Sequence, residues 1–242
     1  MKRLLFVLMF VACAEKKAEP VPRAKPQPLE PLPRVTADAG DDRDALYRVV
    51  PFKPMGPEVP RGLKTIELHG EKWTELPGEG GVLLVADEDT FMVQVAPLLA
   101  QLHDERREVW LKHPDANIAF EVKLRDATEF QKWIDEPAPG KVRVIHREDG
   151  FELTTNLGKL PGLDPNGPTV PVRSGEMDLT TLQKGFERVQ ARFREAPDVC
   201  FAPAYGMELQ KAARAMSVNY FDADTPYFKE VCLVYPRPPE KK

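Results

Sequence analysis

The sequence predicts an α/β (α+β) fold, a mixed sheet built from two hairpin-plus-βαβ units. A continuous apolar run, Val82-Leu83-Leu84-Val85-Ala86, has the length of a strand buried on both faces, and a helix-spaced apolar set follows it. A second short apolar run, Val109-Trp110-Leu111, then stops at Pro114. Turn-marked hairpins precede this strand, helix, strand order and recur before a similar order near the C-terminus. A helix-length connection between neighbouring strands favours a right-handed parallel crossover.

Taken along the chain, Ile66-Glu67-Leu68 and Trp73-Thr74-Glu75-Leu76 flank His69-Gly70-Glu71-Lys72, a hairpin with glycine at its turn. Asp87-Glu88-Asp89-Thr90 follows the buried strand as an N-cap cluster, and Phe91, Val95, Leu98, Leu99 and Leu102 recur at helical spacing. Ile118, Phe120, Val122 and Leu124 alternate inward along one strand, and a helix from Asp126 to Ile134 is ended by Pro137. Val142-Arg143-Val144-Ile145 and Phe151-Glu152-Leu153-Thr154 predict a second hairpin, turning at Asp149-Gly150. Residues 156–175 read as a long, functional or mobile loop rich in glycine, asparagine and proline. Asp178 caps a helix through Phe193 with Leu182, Phe186 and Val189 on one face. A strand over Asp198 to Ala202, a helix over Met207 to Met216 and a strand over Val231 to Tyr235 complete the pattern.

Glu108-Val109-Trp110-Leu111-Lys112-His113-Pro114 and Glu230-Val231-Cys232-Leu233-Val234-Tyr235-Pro236 share Glu-Val-x-Leu-x-x-Pro at an offset of 122 residues. At an offset of 116, Ala86, Gln94 and Ala96 fall on Ala202, Gln210 and Ala212. The matching order of elements reads as a tandem duplication. The expected organisation is residues 1–12 as a signal, 13–60 as a tether, 61–140 and 141–236 as two α/β units, and 237–242 as a disordered tail.

The N-terminus carries an address. Lys2 and Arg3 precede an unbroken apolar run from Leu4 to Ala12, which as a helix covers only about 14 Å, roughly half a bilayer core. Phe10-Val11-Ala12-Cys13 resembles the lipobox of bacterial lipoproteins, with phenylalanine where leucine is usual. The resemblance implies cleavage before Cys13 and lipidation of its thiol, anchoring the chain to a membrane on the periplasmic side. Ala14-Glu15 lacks the aspartate associated with inner-membrane retention and so favours the outer membrane. From Ala14 to about Pro60 the chain is proline-rich and aperiodic, too poor in apolar groups to offset its ordering entropy. If Cys13 carries lipid, Cys200 and Cys232 remain as a pair in an oxidising compartment, either bridged or buried as thiols.

A formal net charge of −4 supplies no global positive field to draw in nucleic acid. The four histidines, at 69, 103, 113 and 146, show no metal-ligand spacing and read as solvated. No glycine-rich phosphate loop, nucleophile elbow or other cofactor motif appears, so neither a catalytic residue, a metal nor a cofactor is expected.

The hairpin, capped helix and strand unit resembles the periplasmic domain of the ExbD/TolR family, which accompanies proton-driven envelope motors. Val82 to Thr90 is similar to that family's strand ending in Ala-Asp before an acidic turn, whereas Pro203-Ala204-Tyr205 replaces the turn in the second unit. Family members carry an acid-bearing transmembrane helix that this chain replaces by a short signal and a lipid. The resemblance thus implies a non-enzymatic binding, scaffold or dimerising role, accessory to biopolymer transport, toward an envelope protein or cell-wall component. A periplasmic enzyme assembled from Asp87, Asp89 and Glu176, or a small-ligand binding module, is the alternative.

Overall fold

A strand buried on both faces needs cover on each side, and two sheets meeting across helices provide it. The computed structural model describes residues 52–136, 141–162, 164–173, 175–194 and 198–236, all within one compact unit. The signal, Cys13, most of the tether and the tail lie outside the described residues. The fold is α/β, with two mixed sheets and four helices among the described residues.

The first sheet runs in the order β2 (Lys72–Trp73), β1 (Lys64–His69), β3 (Val82–Ala86), β4 (Val109–Lys112), β5 (Ala119–Glu121). Helix α1 (Met92–Asp104) makes the crossover between β3 and β4, which pair in parallel. The second sheet runs in the order β11 (Glu176–Met177), β10 (Val170–Arg173), β8 (Gly150–Thr155), β7 (Val142–Arg147), β12 (Asp198–Ala202), β13 (Glu230–Val234), β6 (Lys123–Arg125), with β9 (Gly158–Lys159) paired to β8. Three further helices are α2 (Ala127–Asp135), α3 (Leu179–Arg192) and α4 (Leu209–Ser217).

The two sheets repeat one topology. In each, a hairpin strand pairs in parallel with a strand that crosses over through a helix to a third parallel strand: β1, β3, β4 and β7, β12, β13. The pairings share equivalent points, Val82 facing Val109 and Val199 facing Val231. The register between copies is therefore 117 residues through the strand and helix, not the 116 read from sequence. Burial confirms the shift. Val82, Leu83 and Leu84 are buried, as are Val199, Cys200 and Phe201. The buried positions Met92, Val95, Ala96, Leu98 and Leu99 of α1 fall on the buried Leu209, Ala212, Ala213, Ala215 and Met216 of α4.

Several expectations change. The single strand expected over 118–124 is divided at Val122: β5 pairs antiparallel with β4, while β6 pairs in parallel with β13 in the other sheet. The boundary between sheets thus lies near Val122 rather than at 140, and α2 belongs with the second sheet. Residues 52–60, expected in the tether, instead meet the body. Phe52 packs against the core, Glu58 forms a bridge with Ile118, and the Pro57 carbonyl accepts from the Ala119 amide. The loop expected over 156–175 contributes β9 and all of β10. The second hairpin turns at Glu148-Asp149, since Arg147 faces Gly150, which already belongs to β8. At a φ of +146° and with the space beside its Cα filled by the Val170 carbonyl, position 150 accepts only glycine without movement of the backbone.

One hydrophobic core joins both sheets, with Phe186 edge-on to Phe201 and Phe228 at ring separations of 6.3 and 5.1 Å. On the opposite face of the second sheet, α2 lays Trp133 over Cys200 and Cys232. These cysteines face each other on β12 and β13 and form a disulfide, with a Cα–Cα distance of 4.4 Å. The Trp133 indole also donates to the Asp198 carboxylate at 3.1 Å.

Candidate functional site

The two copies meet about a pseudo-two-fold axis, and the axis positions the site. At one end, Phe91 and Glu208 form an isolated antiparallel bridge. Around it, the Met92 amide donates to the Met207 carbonyl at 2.9 Å and the Leu209 amide donates to the Thr90 carbonyl at 2.8 Å. In the 117-residue register these bonds are equivalents of one another, the reciprocity of an isologous contact. They also use amides that a helix leaves unsatisfied in its first turn.

Each helix is therefore capped by the other copy, which corrects the expected capping by Asp87, Glu88 and Asp89. Phe91 is the N-cap of α1, and its own amide donates to Gln94 Oε1 at 2.8 Å. Asp87 instead bonds Thr90 and His69, which together hold its carboxyl below the usual carboxylate range, Thr90 contributing most.

The same axis passes near Val122. A two-fold reverses the direction of a strand that crosses it, so one segment, 119–125, reads antiparallel to β4 and parallel to β13. Where it crosses, the sheets part and a cleft of about 800 Å³ opens. Its walls are partly equivalents: Arg107-Glu108-Val109 enters β4 and Lys229-Glu230-Val231 enters β13. Helix α2 closes one side with Glu129, Lys132 and Trp133, and Tyr220 closes another.

Most acids of the cleft are already engaged. Glu129 lies 2.8 Å from His103 Nε2, Glu230 lies 3.3 Å from Lys123, and Glu108 accepts from the Trp110 indole at 2.6 Å. Glu136 pairs with Lys141 at 2.9 Å, which holds its carboxyl low. Arg107 points away, donating to the carbonyls of Gly80 at 2.7 Å and Pro77 at 2.9 Å, and so fastens the loop before β3. Among the described residues, Arg106, Arg125, Lys132 and Lys229 line the cleft with no carboxylate at ion-pairing distance, although the Arg125 charge adds to Lys141 in holding Glu136 low, and Glu108 and Glu121 are acids without a cation paired to them. The Arg125 guanidinium sits 5.7 Å from the centre of the Trp133 ring, and its Nε is buried without a hydrogen bond. The Tyr220 hydroxyl is pushed up by burial and by the nearby Glu121.

Arg106 carries a second signal. Helix α1 ends in a Schellman motif, the Arg107 amide donating to the Leu102 carbonyl and the Arg106 amide to the His103 carbonyl, both at 2.9 Å. The residue in the left-handed position is ordinarily glycine, yet Arg106 stands there with φ of +53°, at a cost of about 1 kcal/mol.

The residues singled out from sequence lie elsewhere. Asp87 sits past the end of β3 in the first sheet, whereas Glu176 lies in β11 at the edge of the second, and neither lines the cleft. The expectation of four solvated histidines fails for His113, which is 2% exposed, and for the half-buried His146, because strand pairing brings Phe120 and Phe151 against them, and for the partly buried His103, which lies against Tyr235 and Glu129. His69 is exposed beside Asp87. Among the described residues, no group of three or more histidine, cysteine or acidic side chains is placed to hold a metal ion, and no helix is long and apolar enough to cross a membrane.

Sequence reasoning missed Arg106, Arg125 and Trp110 as members of one site. The available signal was the basic-Glu-Val triplet that opens both copies of the repeated last strand. No family model, curated protein or solved structure matches the chain.

Proposed function

We propose that this chain is an exported lipoprotein, held to a membrane through lipid on Cys13, whose duplicated α/β body acts as a non-enzymatic binding or scaffold module in the cell envelope. The observation that carries the binding role is the cleft on the pseudo-two-fold, about 800 Å³ and lined by both copies. The bridged Cys200–Cys232 pair supports an oxidising compartment, in keeping with the signal-like N-terminus. The likeness of each unit to ExbD/TolR periplasmic domains suggests an envelope protein or cell-wall component as the partner. The internal duplication supports a further point: one chain supplies both halves of a symmetric contact that a homodimer would otherwise make.

Two measurements test this reading in cells. Labelled palmitate should enter the protein and the label should vanish in Cys13→Ser, with the protein then released from membranes. A photo-crosslinking amino acid at position 110, on the cleft wall, should capture an envelope component. Labelling that persists in Cys13→Ser overturns the anchor, and absence of any crosslink from position 110 overturns the binding role.

A further inference from the structure

We infer that the cleft on the pseudo-two-fold is an oxyanion site, where the bound envelope component presents a carboxylate or phosphate group to Arg125 and Arg106. The inference rests on reading the body as a binding module and adds the chemistry of what it binds.

Charge is the first argument. The chain as a whole is acidic, at −4, so a surplus of cations in one cleft is local and not a reflection of composition. Lysines pair with Glu230 and Glu136, and the lining as a whole sets six arginines and lysines against five glutamates, an excess of one cation, with Arg106, Arg125, Lys132 and Lys229 outside any ion pair. A concave wall with a positive excess raises the local concentration of an anion.

The second argument is an unsatisfied donor. Arg125 Nε is removed from water and bonds nothing, and the guanidinium carbon lies over the Trp133 ring, 5.7 Å from its centre. A buried donor left unpaired is costly, and a guanidinium fork matches two oxygens of a carboxylate or phosphate.

Backbone strain is the third. Glycine at position 106 would close α1 without strain, since the left-handed turn makes its hydrogen bonds through the backbone alone. The arginine side chain is thus retained against the preference of the turn, on the rim of the cleft. Strain of this kind is stored where a side chain is needed. Trp110 and Tyr220 supply flat apolar surface for the rest of the ligand.

The test uses the purified full chain, titrated calorimetrically with citrate and with inorganic phosphate at constant ionic strength, alongside thermal melts. Citrate, phosphate or both should bind, and the preferred anion identifies a carboxylate or a phosphate source. Arg125→Gln should weaken binding tenfold or more. Arg106→Gly should separate the two roles of that residue, raising the melting temperature by a few degrees while weakening binding severalfold. An Arg106→Gly protein that is more stable and binds as well as the wild type would show that residue to be a helix terminus only, and would overturn the assignment. A wild type that takes neither anion at millimolar concentration, while the crosslink from position 110 persists, overturns the anion site and leaves the binding module standing. Silence in both experiments overturns both.

Discussion

His113 shows how one residue acquires properties that its neighbours in sequence do not confer. It is 2% exposed, its Nδ1 accepts from the Asp115 amide at 3.1 Å, and its ring meets Phe120 edge-on across the β4–β5 pair. Burial pulls its pKa below the ordinary 6.5, and the Arg214 charge adds to this against the opposing pull of Asp115. The half-buried His146 is lowered for the same first reason, with Lys211 contributing. A base whose folded pKa is depressed binds its proton more weakly in the folded state than in the unfolded one. Its contribution to stability is complete above pH 6.5 and is lost as the pH falls from there toward the folded pKa. Thermal melts should therefore move to lower temperature between pH 7 and pH 5, and the double variant His113→Asn/His146→Asn should flatten that slope. An unchanged slope in the double variant would locate the dependence elsewhere. None of this was legible in sequence, because partners such as Phe151 and Lys211 arrive through strand pairing and helix packing. Arg106 is a comparable case: a charged run at a helix end reads as a solvated terminus, and only the backbone reveals the left-handed turn.

Elements were legible where a local period determined them. The strand over Asp198 to Ala202 and the helix capped by Asp178, whose carboxylate accepts from the Thr181 amide at 2.9 Å, stand where periodicity and capping chemistry place them. The division of 118–124 was not legible. Alternation carries Phe120, Val122 and Leu124 inward on both sides of the axis, so the change of sheet leaves no mark in the pattern. The disulfide joins neighbouring strands at paired positions 32 residues apart in sequence, and α2 seals it through Trp133. In a chain-entropy account a loop of that length contributes on the order of 3–4 kcal/mol. The double variant Cys200→Ala/Cys232→Ala should lose about that amount, less whatever the small alanines recover by letting Trp133 settle. Urea titration of the two proteins measures it, and a loss below about 1 kcal/mol would mean that the strand pairing alone already holds the ends together.

At the scale of the whole molecule, the duplication is legible in sequence as an order of elements but not as a register, since three identities fall at an offset of 116 whereas the burial pattern that sets 117 exists only in the folded chain. That register matters for stability. The first amides of α1 and α4 find their acceptors in the opposite copy, and 119–125 belongs to both sheets. Removing either copy leaves the other with uncapped helix ends, a strand without a partner and one side of a shared core open to water. Units that each complete the other's hydrogen bonding should unfold together. The three tryptophans allow a direct check, because Trp73 and Trp110 lie in the first sheet while Trp133 packs on the second. In a Trp73→Phe/Trp110→Phe variant, fluorescence reports the second sheet alone, and in a Trp133→Phe variant it reports the first. Within each variant, the urea midpoint by fluorescence should coincide with that by far-ultraviolet circular dichroism, which averages over both copies. Midpoints that diverge in either variant would show two independently stable halves, and the reciprocal capping across the Phe91–Glu208 bridge would then contribute little to holding the body together.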